Sequence, residues 1–189
     1  MRLIVTALLS YCGYATVMAD DLLIIDDRRT DDFRSSLGTS WRLITDNVMG
    51  GVSNGRLTLD SIDDRACLRL RGDVRLENSG GFVQAALDIK GTSAFDASAY
   101  QGVLLEVYGN DEVYNLHLRT DDVWLPWQSY RASFTAPAGW QSVRLPFAEF
   151  TGYRIGSPLD LEHLERLGIV AIGRAFKADL CVASMALYR

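Results

Sequence analysis

Lysine is nearly absent from this chain: Lys90 and Lys177 are the only two among 19 basic residues, the rest being arginine. The 24 acidic residues outnumber the basic ones, and the formal net charge of −5 argues against nucleic acid as a general partner. Histidine is as scarce, with only His117 and His163, far apart in the chain. No cysteine and histidine cluster has metal-ligand spacing, and no Gly-x-Ser-x-Gly elbow is present. No glycine pair is followed by Lys-Ser/Thr and a helix, so there is no phosphate cradle. No spacing among the acids singles out a catalytic pair. Repeats, low-complexity tracts and interdomain linkers are missing as well. These absences point to a single non-catalytic domain with no cofactor and no metal; an enzyme acting on a glycan or phosphoester is the remotest reading.

No apolar run reaches the roughly 20 residues of a membrane span. The longest, Leu3 to Val17, follows Met1-Arg2 and ends at Val17-Met18-Ala19, a small-residue cleavage site. Residues 1–19 therefore read as an export signal cut after Ala19, which gives a periplasmic or secreted protein with no stable span in the mature chain. Of the three cysteines, Cys12 would leave with the signal, and Cys67 and Cys181 remain as an even pair in an oxidising compartment. They either bridge or stay as two thiols. In Ala66 to Arg71, Cys67 alternates onto the arginine side, away from Leu68 and Leu70.

What the chain has in abundance is period-two alternation. Residues 20–32 form an acidic N-terminal segment, with Leu22 to Ile25 as an edge strand and Asp26 to Asp32 as a solvated charge cluster. Phe33 and Trp41 mark the start of packed structure, so 33–189 reads as the domain. Strands follow at Ala66 to Arg71, Gly81 to Leu87, Val103 to Tyr108, Tyr114 to Arg119, Tyr130 to Phe134, Val143 to Leu145, Leu167 to Ile172 and Leu180 to Tyr188, separated by glycine, proline and asparagine turns. Many short strands at this spacing predict an all-β, jelly-roll-like antiparallel β-sandwich. Only Leu159 to Arg166 reads as a helix, of about two turns, with Asp160 near its start.

Two stretches stand out as loops: Asp46-Asn47-Val48-Met49-Gly50-Gly51-Val52-Ser53 and Glu77-Asn78-Ser79-Gly80-Gly81-Phe82. Each sets a Gly-Gly pair beside small polar side chains, which suits positive φ or close chain approach. They read as mutually braced structural loops, or as a polar ring of Asp46, Asn47, Ser53, Asn54, Glu77 and Asn78 around a cation or a partner's backbone. Together they resemble the two signature loops of the complex I intermediate-associated protein 30 family, in which the second usually carries Asn where Ser79 stands. Trp41, Trp140, Leu145-Pro146-Phe147, Phe150 and Pro158-Leu159-Asp160 extend the resemblance from about Asp32 to the C-terminus. It implies a galactose-binding-like β-sandwich; the family's eukaryotic members are mitochondrial assembly factors for respiratory complex I. An exported domain does not easily reach the cytoplasmic arm of that complex, which counts against a direct role there.

One further constellation carries chemistry. Glu106, Tyr108, Asn115, His117 and Arg119 share one alternation phase on two strands joined by a short turn, predicted to pair as a hairpin. The next loop holds Trp124, Pro126 and Trp127. The face is either an ordinary solvated one or a shallow polar cleft with aromatic walls. The resulting expectation is a binding or assembly-type module for a protein partner; the alternative is a carbohydrate-binding module using that face.

Overall fold

The computed structural model describes residues 21–91 and 94–189; the signal reading of 1–19 lies outside them. In chain order the strands are β1 (Leu23–Asp26), β2 (Arg42–Thr45), β3 (Asn54–Ile62), β4 (Arg65–Val74), β5 (Phe82–Asp88), β6 (Gly102–Tyr108), β7 (Glu112–Thr120), β8 (Ser129–Ala136), β9 (Gln141–Pro146), β10 (Thr151–Tyr153), β11 (Leu164–Ile172) and β12 (Phe176–Tyr188). They make two six-stranded antiparallel sheets. The first runs β3-β4-β12-β6-β9, with β1 beside the far half of β12; the second runs β10-β8-β7-β11-β5-β2.

Alternation decides which side chains meet between the sheets. Leu68, Leu70, Val103, Leu105, Val107, Leu180 and Met185 of the first face Tyr114, Leu116, Leu118, Val83, Leu87, Leu167 and Ile169 of the second in one continuous core. Each such side chain removed from water contributes roughly 1.5–3 kcal/mol. The all-β sandwich is the fold the alternation predicted.

Three local expectations are corrected. First, β6 and β7 are not a hairpin. Gly109 to Asp111 carries the chain from one sheet to the other, where β6 pairs with β12 and β9 while β7 pairs with β8 and β11. Adjacency in sequence suggested pairing, but both strands bury their apolar halves better by facing each other across the core. Second, Leu159 to Arg166 is not a helix. Asp160 instead closes a turn, accepting from the Glu162 N–H at 3.0 Å, and the apolar run from Leu164 enters β11 between two strand partners. The short helical elements are single 3-10 turns at Asp46–Met49, Glu77–Ser79 and Phe147–Glu149. Third, the charge cluster at Asp26 to Asp32 is not simply a solvated linker. Asp26 and Arg28 are buried as a pair 2.8 Å apart, Trp41 Nε1 donates to Asp26 at 2.6 Å, and Arg28 donates to the carbonyls of Thr30, Asp32 and Arg34. The acidic segment is thus knotted onto the sandwich by its own arginine.

Cys67 and Cys181 form a disulfide between β4 and β12, with Cα atoms 5.4 Å apart. It lies on the outer face of the first sheet, in a small apolar cluster with Ala183, Ile62, Tyr108 and Trp140.

Candidate functional site

The two Gly-Gly loops meet at one carboxylate. Asp46 is fully buried and accepts from the Ser53 N–H at 2.9 Å, the Ser53 hydroxyl, the Gly81 N–H and the Phe82 N–H at 3.3 Å. Ser53 Oγ in turn accepts from the Arg75 N–H at 2.9 Å, at the end of β4. The glycines make this possible: a Cβ on Gly51 would lie 2.4 Å from Asp46 Cγ, and one on Gly80 2.5 Å from its Oδ2. Gly50 and Gly81 supply positive φ, +87° and +128°. Burial pushes the Asp46 pKa up, but the four hydrogen bonds outweigh it and hold the carboxyl below the usual range. Both of its oxygens already have donors, so the loops act as a brace. Asn47, with its amide nitrogen turned to acceptors, donates to the Gly51 carbonyl at 2.6 Å. Asn54, Glu77 and Asn78 stay exposed, and Glu77 pairs with Arg75. No group of three or more His, Cys, Asp or Glu side chains among the described residues is placed to hold a metal.

This brace forms one lip of a cleft of about 460 Å³ on the outer face of the second sheet. Val48 and Met49 stand on it, 73% and 47% exposed. The opposite lip is the segment after β7, with Trp124 86% and Trp127 43% exposed, joined by Tyr153 of β10 at 41%. Cross-strand register builds the floor. His117 on β7 lies between Arg131 on β8 and Gly168 on β11, and Arg119 lies opposite Arg166. A Cβ on Gly168 would come within 2.1 Å of Gln84 Nε2, so the Gln84 side chain lies across that glycine.

Each polar floor residue has a distinct job. Arg119 donates to the carbonyls of Val123 (2.8 Å), Leu125 (3.0 Å), Pro126 (3.3 Å) and Gln128 (2.7 Å), so it anchors the Trp124 to Trp127 segment. Arg131 donates from Nε to Ser129 Oγ at 2.9 Å and from Nη2 to the Trp127 carbonyl at 3.1 Å, and its guanidinium lies 3.7 Å from the centre of the Tyr153 ring. Because Ser129 Oγ accepts from Arg131, its own proton can go to His117 Nδ1, 3.4 Å away. The imidazole proton is then on Nε2, which is buried and has no hydrogen-bond partner among the described residues. Burial, helped by the Arg131 charge, pushes the His117 pKa down to about 3, so the ring is neutral.

The predicted binding face is therefore split. His117, Arg119 and Trp127 line the cleft. Asn115 lies on the same face, its Oδ1 bonded to Ser133 Oγ at 2.5 Å, but outside the cleft lining. Glu106 and Tyr108 are on the other side of the sandwich, Glu106 paired with Arg65 at 3.3 Å and Tyr108 edge-on to Trp140. Sequence reasoning missed Gln84, Arg131, Tyr153, Arg166 and Gly168. Arg131 carried a usable signal, the right alternation phase, but the phase becomes a site only once strand order is known.

The architecture is that of a two-sheet β-sandwich, with a cleft on one outer face between two loops. The chain belongs to the complex I intermediate-associated protein 30 family, whose sequence pattern matches residues 31–181. No curated sequence matches it significantly. Among solved structures, the family 11 carbohydrate-binding module of the cellulosomal cellulase Lic26A-Cel5E of Clostridium thermocellum superposes with a TM-score of 0.70 at 11% identity, covering 90% of this chain and 95% of that one. A family 30 carbohydrate-binding module gives 0.58 at 15% identity, covering 93% and 90%. An exo-beta-agarase gives 0.55 at 10% identity, covering 86% of this chain and 24% of the enzyme. At these identities the likeness is one of fold.

Proposed function

We propose that this protein is a non-catalytic, exported binding module that takes a carbohydrate chain in the cleft of the second sheet. The observation that carries this reading is the line of exposed aromatic rings, Trp124, Trp127 and Tyr153, along one lip of an open groove with a polar floor. Such rings stack on the apolar faces of sugars, while a few fixed polar groups set orientation. The carbohydrate-binding modules among its structural neighbours support the reading at the level of fold. Binding rather than cleavage is supported by the lining itself: most glycosidases use a pair of carboxylates, and no Asp or Glu lines this cleft among the described residues. The N-terminal signal pattern and the disulfide support a periplasmic or secreted location, where glycans are met.

A protein partner is the second reading, favoured by Val48 and Met49, an apolar pair left exposed on the signature loop of a family described as complex I intermediate-associated. A glycan array run with wild type and Trp127→Ala, beside a pull-down from the envelope fraction with wild type and Val48→Asp, separates the two. The carbohydrate reading expects array binding that falls at least tenfold, about 1.4 kcal/mol, in Trp127→Ala with an unchanged melting temperature. A blank array, with a partner captured by wild type and lost in Val48→Asp, transfers the function to protein binding.

A further inference from the structure

The cleft's charge runs against that of the chain. The whole sequence carries −5, yet the cleft lining contains Arg119, Arg131 and Arg166 and, among the described residues, no carboxylate. One acid stands behind it: Asp88 takes both Arg166, at 2.6 Å, and Arg42, so a single negative charge is shared by two guanidiniums. Glu165, whose charge reaches Arg119, is itself paired with Lys90. Arg119 and Arg131 are satisfied by carbonyl and hydroxyl oxygens, which supply hydrogen bonds but no neutralising charge. Partly buried cations held together in this way repel one another: burial and then Arg166 lower the pKa of Arg119, and Arg131 adds to the lowering at His117.

Donors are also left over. Arg131 uses Nε and Nη2, and among the described residues its Nη1 has no hydrogen bond and Arg166 donates only from Nε. His117 Nε2 is buried and unpartnered on the same floor, on a side chain only 8% exposed. Guanidinium forks match the planar oxygens of a carboxylate and the oxygens of a sulfate.

We propose that the ligand of this cleft is an acidic polysaccharide, whose carboxylate or sulfate groups are held by Arg131 and Arg166 while its sugar faces lie on Trp127 and Tyr153. The proposal rests on the carbohydrate reading above and narrows it to anionic chains. It also favours the cleft over the rest of the surface, because a net charge of −5 opposes a polyanion on average and a positive concavity does not.

The test is native affinity electrophoresis with polygalacturonate (carboxylate), chondroitin sulfate (sulfate plus carboxylate), carrageenan (sulfate) and a neutral β-1,3-1,4-glucan, using wild type, Arg166→Gln, Arg166→Lys and Trp127→Ala, each checked for an unchanged melting temperature. The expected result is retardation by at least one acidic polymer and none by the neutral glucan. Affinity should drop at least tenfold between about 50 and 300 mM salt, since screening weakens the charge contacts. Arg166→Gln should lose at least tenfold, and Arg166→Lys should recover part of that loss. Polygalacturonate against carrageenan tells carboxylate from sulfate. Salt-independent binding of the neutral glucan that Trp127→Ala abolishes overturns the anionic inference and leaves the cleft reading standing. No retardation by any glycan overturns both. Acidic-polymer binding that survives in both folded Arg166→Gln and Trp127→Ala places the polymer outside the cleft and overturns the proposal.

Discussion

On the outer face of the first sheet, charges meet opposite charges. Arg69 and Arg71 on β4 share Asp60 on β3 and Asp179 on β12, and Arg65 pairs with Glu106. Beside this net, the Cys67–Cys181 bridge lies under Tyr108 and Trp140. On the outer face of the second sheet, Arg119 and Arg131 meet carbonyls, a hydroxyl and a ring, Arg166 shares Asp88 with Arg42, Gln84 lies across Gly168, and aromatic side chains stand off the surface. Both faces are the polar half of the same alternation. What differs is the ratio of acids to arginines: two carboxylates serve Arg69 and Arg71 on the first face, while one, Asp88, serves Arg42 and Arg166 on the second and none pairs with Arg119 or Arg131. A solvent-facing sheet side keeps donors for an outside group where its cations outnumber the acids within reach.

The contrast can be broken most strongly from the first face. Replacing both cysteines by serine removes a crosslink with a sequence separation of 114. It should cost about 2–5 kcal/mol in a denaturant melt while glycan retardation persists in the folded fraction; lost retardation would join the two faces energetically. Next in size is Asp46→Ala, which strands the N–H groups of Ser53 and Gly81. It should cost about 3 kcal/mol and loosen the Val48 lip, read by chemical denaturation and by faster amide exchange in 46–53 and 77–82.

Acid should sharpen the difference. His117 binds its proton more weakly folded (about 3) than unfolded (about 6.5), so the unfolded chain takes up the proton first. Stability should therefore fall as pH drops from about 6.5 towards 3, by at most about 1.4 kcal/mol per unit. His117→Gln should flatten that window. Asp46, whose folded pKa is lowered, contributes stability that is present above its unfolded pKa of about 3.9 and is lost as pH falls through the folded value. Its loss should thus appear only below about pH 4. His163, exposed and raised by Asp160, has the opposite sign and a small effect. The smallest expected change is Glu106→Gln, which removes one partly exposed pair. It should shift stability by less than about 1 kcal/mol and leave glycan binding untouched.

Much of this was legible in the residues. Alternation predicts the sandwich, and it sets Asn115, His117 and Arg119 in one phase of β7 opposite the buried Tyr114, Leu116 and Leu118. Two glycine pairs beside Asp46 announced a tight meeting of loops. What could not be read was long-range order. Nothing local says that β6 leaves for one sheet while β7 joins the other, so Glu106 and Tyr108 were placed with partners they never approach. Tyr153, Arg166 and Gln84 come to the cleft from three strands distant in sequence, and alternation does not give the path of the loop whose four carbonyls Arg119 binds.

The position of β12 has a consequence for how the chain reaches this state. Phe176–Tyr188 lies inside the first sheet, between β6 on one side and β4 with β1 on the other. During synthesis those earlier strands must wait, with one edge unpaired, for a partner that follows all the other strands of the two sheets. Such late, distant pairing makes folding slow and leaves adhesive strand edges open meanwhile. Truncation before Leu180 should therefore yield aggregates rather than a smaller folded domain, because β4 and β6 would lose their shared neighbour.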